Sequence, residues 1–170
     1  MYWRYCRFHD LLSPASDPHQ SKIMGKDKFI AYTLVTIQVI CFVLILVTGW
    51  PLADCIPLLI VQIGGGMLGI WAIIIMGRKN TNVTPLVKQD AHLVTNGPYA
   101  FIRHPMYSAV LLTVWPLIID QYSLLRLAAS LILTIDLIMK MLYEENLLRK
   151  HFAGYEIYMS RTKRLIPFVL

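Results

Sequence analysis

Residues 97–119 read Gly-Pro-Tyr-Ala-Phe-Ile-Arg-His-Pro-Met-Tyr-Ser-Ala-Val-Leu-Leu-Thr-Val-Trp-Pro-Leu-Ile-Ile. A stiff cationic turn passes without a spacer into an apolar run. Pro98 and Pro105 fix φ and remove backbone donors, while Arg103 and His104 bring charge and proton chemistry to the edge of the run. That combination belongs at a bilayer boundary and reads as a site rather than a linker.

The rest of the composition agrees with a membrane setting. Of 170 residues, 56% are hydrophobic and 15% charged, where soluble domains average about 25% charged. The apolar excess lies in long runs, which predicts an all-α, integral-membrane fold. The net charge of +6 comes from Lys and Arg at the ends of those runs, where they meet anionic lipid headgroups. No basic patch interleaved with aromatics occurs, so no nucleic-acid partner is expected. Cys6, Cys41 and Cys55 are scattered and odd in number, which argues against disulfides and against a metal site.

Four transmembrane helices are expected, over about 29–47, 56–76, 106–119 and 122–142, each bounded by turn or charged residues. Residues 1–28 are too polar to order themselves and read as a flexible tail. Met24, followed by Gly25, Lys26, Asp27 and Lys28, has the form of a start, so residues 1–23 are expected to be dispensable. Gly65 and Gly69 in the second span have the small-xxx-small spacing that lets helices approach closely. Residues 77–105 are too polar for hydrocarbon and form the long internal loop. Asp120-Gln121 makes a tight hairpin between spans three and four, and Arg126 is expected to snorkel outward. Asp136 and Lys140 share a helix face deep in span four, either as a self-neutralising pair or as the lining of a polar cavity.

Basic residues cluster at the amino end, in the 77–105 loop and at the carboxyl end, and are absent from the other two loops. Their alternation predicts a multi-pass protein with both termini cytoplasmic. The Arg-His turn and the carboxyl tail then share a compartment. That tail, about 143–162, is expected to form one amphipathic helix from Leu148, Phe152, Tyr155 and Met159; Glu144 and Glu145 either face the Arg-His turn across the hairpin, or Glu145 makes a plain helix salt pair with Arg149.

Leu93-Val94-Thr95-Asn96-Gly97-Pro98-Tyr99, Arg103-His104-Pro105-Met106-Tyr107, and Glu144-Glu145 with Leu148, Phe152, Gly154, Tyr155, Tyr158 and Arg161 closely resemble the isoprenylcysteine carboxyl methyltransferase and phospholipid methyltransferase superfamily. The resemblance implies an integral-membrane methyltransferase in which the four transmembrane helices plus a C-terminal amphipathic helix read above frame a cytosolic loop that binds S-adenosyl-L-methionine. It implies cofactor contacts from His92, Val94, Tyr99, His104, Pro105, Tyr107, Glu144 and Glu145, with Arg103, His104 and Glu144 as catalytic candidates. Tyr155, Tyr158 and Arg161 would close the pocket, and no metal is implied. Ala109 stands where the family often has glycine, and is expected to tighten the cavity.

Methyl transfer from a sulfonium is an in-line displacement that asks mainly for alignment and water exclusion. A carboxylate or thiolate acceptor needs an arginine to hold it, whereas a protonated lipid amine needs a base such as His104 or Glu144. The expected partners are the bilayer and a lipidic or small-molecule acceptor: an isoprenylcysteine-type carboxylate, a phospholipid amine or a small thiol. Two other readings stay open, a membrane reductase with a nicotinamide cofactor and a noncatalytic membrane subunit.

Overall fold

The computed structural model describes residues 18–80, 93–152 and 154–165, with the side chains of 18–24, 26 and 78–80 left undescribed. The described elements are helical: α1 (Pro18–Val47), α2 (Ile56–Asn80), a 3₁₀ turn (Gly97–Ala100), α3 (Pro105–Asp120), α4 (Leu124–His151) and α5 (Tyr155–Arg161). No strand occurs among the described residues, and a single parallel bridge joins Ile102 to Lys163.

Two helices are long and apolar enough to cross a membrane, over Asp27–Val47 and Ile56–Gly77. Both expose large apolar side chains, such as Phe29, Val39 and Ile40 on α1 and Ile60, Ile63 and Ile70 on α2. A helix with that much apolar surface facing out is suited to contact with lipid. The α3 helix is apolar but has only 16 residues, about 24 Å at the usual rise.

The α1 helix packs along α4 and α2 along α3, with α3 and α4 in contact to join the pairs. Cys41 and Ile45 of α1, Val114, Leu117 and Ile118 of α3, and Ala129, Leu133 and Leu137 of α4 form the buried core. Along the α2–α3 seam the glycines permit the approach. A Cβ on Gly65 would stand 2.8 Å from the Leu112 Cβ, and one on Gly69 would stand 3.2 Å from the Ala109 Cβ. Ala109 therefore packs against α2.

Three expectations change. Helix α1 begins at Pro18, so residues 18–28, read as tail, continue the first span as helix. The carboxyl helix is not one piece from 143 to 162: α4 runs on to His151, the chain turns, and α5 begins at Tyr155. Arg126 does not snorkel outward. It is 1% exposed, donating from Nη1 to the Gln121 carbonyl at 3.1 Å and from Nη2 to the Ile45 carbonyl at 3.3 Å. Cys6 and the 81–92 part of the long loop lie outside the described residues.

The α1–α2 loop is fastened to the α3–α4 turn by a polar clamp. Asp120 accepts the Asp54 and Cys55 amides, while Gln121 accepts the Trp50 amide and donates to the Leu52 carbonyl. At the other end, α2 leaves helical geometry at Gly77 (φ 67°, ψ 163°), a conformation that glycine tolerates.

Candidate active site

The 3₁₀ turn and the start of α3 follow from the two prolines. Pro98 and Pro105 both stand in first-turn positions, where the absent N–H is no loss. Gly97 has φ +58°, so the chain can reverse into the turn without Cβ strain. Between the two short helices, residues 101–104 run alongside 163–165. The Arg103 amide donates to the Lys163 carbonyl at 2.7 Å, the His104 amide to Arg164 at 3.0 Å, and the Lys163 amide back to Phe101 at 3.1 Å. Ser108 adds a hydroxyl bond to the Leu165 carbonyl at 2.6 Å. The tail is thereby strapped along the turn.

Arg103 and Glu145 occupy the centre. Arg103 Nε donates to Glu145 Oε1 at 3.0 Å, and Nη1 donates to the carbonyls of Met159, at 3.1 Å, and Thr162. Glu145, 2% exposed, also receives Arg164, whose Nη2 lies 3.2 Å from Oε2. Its pair with Arg149 does not form; the carboxylate faces the turn instead. Burial alone would raise the Glu145 pKa, but the close approach of His104 and the hydrogen-bonded guanidinium groups of Arg164 and Arg103 outweigh it and hold the group at about 2.

Glu144 differs from its neighbour. Its side chain keeps 28% exposure, and Oε2 accepts the Tyr107 hydroxyl at 2.7 Å. His104 lies beneath, stacked on the Tyr107 ring with centroids 5.3 Å apart. Its Nδ1 stands 3.8 Å from Glu144 Oε2 and its Nε2 3.5 Å from Glu145 Oε1. At 3.5 Å the second contact is an electrostatic approach, and Nε2 is buried without a hydrogen-bond partner among the described residues.

Tyr99, Tyr155 and Tyr158 wall the site. The Tyr158 hydroxyl donates to the Tyr99 carbonyl at 2.7 Å, and burial pushes its pKa up to about 12. The hydroxyls of Tyr99 and Tyr155 are buried without partners among the described residues. Burial raises both their pKa values, and a nearby carboxylate raises them further, Glu144 at Tyr99 and chiefly Glu145 at Tyr155. A half-buried carboxylate among unused buried donors is a set of groups arranged for something polar to satisfy.

A family model described as phospholipid methyltransferase matches residues 55–154. The chain belongs to the phospholipid methyltransferase family. Two curated proteins, from Oryza sativa subsp. indica and subsp. japonica, are each named "Probable protein-S-isoprenylcysteine O-methyltransferase". Each is 32% identical over 114 residues, covering 65% of this chain. The match spans 60% of the length of these relatives. No solved structure matches.

Within this phospholipid methyltransferase family chain, the structure brings together Tyr99, Arg103, His104, Pro105, Tyr107, Glu144, Glu145, Tyr155 and Tyr158. Val94 is half-buried ahead of the turn, and His92 lies outside the described residues. Arg161 is exposed, away from the buried face of Tyr155 and Tyr158. Arg164 takes the inward place that the family resemblance implied for Arg161. Helix α5 ends at Arg161, and beyond it the chain is extended, so Thr162 is buried, Lys163 exposed and Arg164 turned to Glu145. Arg164, Thr162 and Ser108 are the additions that sequence reading missed. Nothing in composition marks where a seven-residue helix stops.

Proposed function

We propose that the chain is an integral-membrane methyltransferase that uses S-adenosyl-L-methionine to methylate a lipidic or membrane-partitioned acceptor. In this reading four helices span the bilayer, and α3 and α4 cross it as a hairpin. Both termini are cytoplasmic, which puts the turn and the tail in the cytosol. The single observation that carries the reading is the division of labour between adjacent carboxylates: Glu145 is consumed by Arg103 and Arg164, while Glu144 stays partly open beside His104 and Tyr107.

Those residues fit the cofactor. A carboxylate beside a sulfonium stabilises its positive charge and can accept hydrogen bonds from ribose hydroxyls. The unpartnered hydroxyls of Tyr99 and Tyr155 and the Nε2 of His104 supply groups for its remaining polar atoms. When bound, the cofactor supplies an electrophilic methyl group. The protein's own part is to hold Glu144 through Tyr107, to keep the turn fixed through Arg103, and to exclude water with the tyrosine wall. Where the acceptor is a protonated amine, the His104–Glu144 pair is the base that takes its proton. The names of the rice relatives favour an isoprenylcysteine carboxylate among the acceptors, and the family's own name a phospholipid amine.

Binding of S-adenosylmethionine to protein purified in detergent tests this. The double variant His104→Ala, Glu144→Ala is expected to lose at least about tenfold in affinity, the scale of one or two charge-assisted hydrogen bonds; unchanged affinity sinks the site. Transfer of labelled methyl from the cofactor into a total lipid and small-molecule extract then reads out the acceptor class.

A further inference from the structure

Asp136, Lys140 and Glu144 follow one another at four-residue spacing along one face of α4. Asp136 and Lys140 are each 4% exposed, in the length of α4 that the proposed topology puts inside the bilayer. Ionisable groups there are expensive to keep and are a sign of function by default.

The contacts of Lys140 lead toward the site. Its Nζ donates to Oε1 of Gln38 at 2.8 Å, linking α4 to a polar residue midway along α1. The same ammonium stands 5.7 Å from the centroid of the Tyr107 ring, within cation–π range. Tyr107 in turn gives its hydroxyl to Glu144 and stacks on His104. Asp136 lies one helical turn below, and both its carboxylate oxygens are buried without a hydrogen-bond partner among the described residues. Its spacing from Lys140 alone therefore does not account for where the ammonium sits.

We propose that Lys140, seated by Gln38, is a positioning residue: from the membrane side it holds the Tyr107 ring, and through that ring the Glu144 carboxylate, in the arrangement that receives the cofactor. Lys140 touches no reacting atom in this scheme. The proposal rests on the methyltransferase reading above and adds to it a link between the first span and the site. Arginine in place of Lys140 keeps a cation over the ring, whereas methionine keeps the bulk and removes the charge.

A double-mutant cycle on cofactor affinity tests this link, using full-length protein in lipid nanodiscs and S-adenosylmethionine as probe. Lys140→Met is expected to weaken binding about tenfold and Lys140→Arg by less than about threefold. In a Glu144→Gln background Lys140→Met is expected to add almost nothing, because coupled residues are not additive. A merely structural lysine gives losses that multiply in the double variant. That result, or wild-type affinity for Lys140→Met, overturns the proposal. If Lys140→Met does not fold, Gln38→Leu serves: it is expected to weaken binding about threefold, and only while Glu144 is present. Unchanged affinity in Gln38→Leu likewise overturns the link. Absence of binding by the wild type is a different failure, and it overturns the methyltransferase reading itself.

Discussion

The side chains of Arg103 and Arg126 are both nearly out of solvent, one just before the first turn of α3 and the other just after its last, and their partners differ in kind. Arg103 meets a carboxylate, Glu145, which a second arginine also grips. Arg126 meets only neutral oxygens: the carbonyls of Gln121 and Ile45 and the Gln121 side chain. The Arg126 end closes on itself through loop amides taken up by Asp120 and Gln121. The Arg103 end keeps an open carboxylate and unused donors. A buried arginine alone therefore does not mark a site; what marks it here is the charge left available around it.

Removing the carboxylate at the Arg103 end should have the largest effect. Glu145→Ala leaves the Arg103 side chain without its counter-charge and removes the tail's ion pair through Arg164, at a cost of about 3–5 kcal/mol. Thermal unfolding in detergent would show it as a large fall in Tm. The same group sets an acid limit. Glu145 titrates at about 2 in the folded protein against an ordinary value of 4.5. The folded-state pKa is depressed, so its stabilisation is fully present above about pH 4.5 and is lost as pH falls toward 2. In Glu145→Ala that component of acid sensitivity should vanish. An unaltered acid profile would show that Glu145 is not what the tail closes on.

Arg126→Met should be milder and confined to stability. It removes hydrogen bonds to carbonyls without stranding a carboxylate, so about 1–3 kcal/mol is expected. Affinity for S-adenosylmethionine should be unchanged in the folded fraction. A comparable loss of affinity would erase the distinction between the two ends.

The helices were legible because long apolar runs and proline-bounded turns have few other solutions. Arg126 was misread because an arginine near the end of a span snorkels unless carbonyls gather around it. Here Gln121 and Ile45 come together only when α1, α3 and α4 pack. Glu144 and Glu145 are indistinguishable in the sequence, yet one is buried among cations and the other is not, since adjacent residues on α4 point about 100° apart. The tail shows the limit most sharply. The resemblance pointed to Arg161, and the end of α5 hands the role to Arg164.

Two glycines give the finest test of the contrast, because each end has one where a side chain would strike its network. At Gly49 a Cβ would stand 2.6 Å from Arg126 Nη1 and 2.9 Å from Gln121 Oε1. At Gly97 it would stand 2.9 Å from Ile75 Cγ1, on a backbone already at φ +58°. Gly97→Ala thus combines left-handed strain with overpacking, and Gly49→Ala displaces a pinned guanidinium. Each should cost about 1–2 kcal/mol, with nearly equal shifts in Tm. Their effect on the cofactor should differ. Gly97 begins the turn that carries Tyr99, Arg103 and His104, so Gly97→Ala should weaken S-adenosylmethionine binding several-fold, while Gly49→Ala should leave it at the wild-type value. Equal losses of affinity from both variants would mean that the far clamp sets the geometry of the turn through α3, and that the two ends work as one unit.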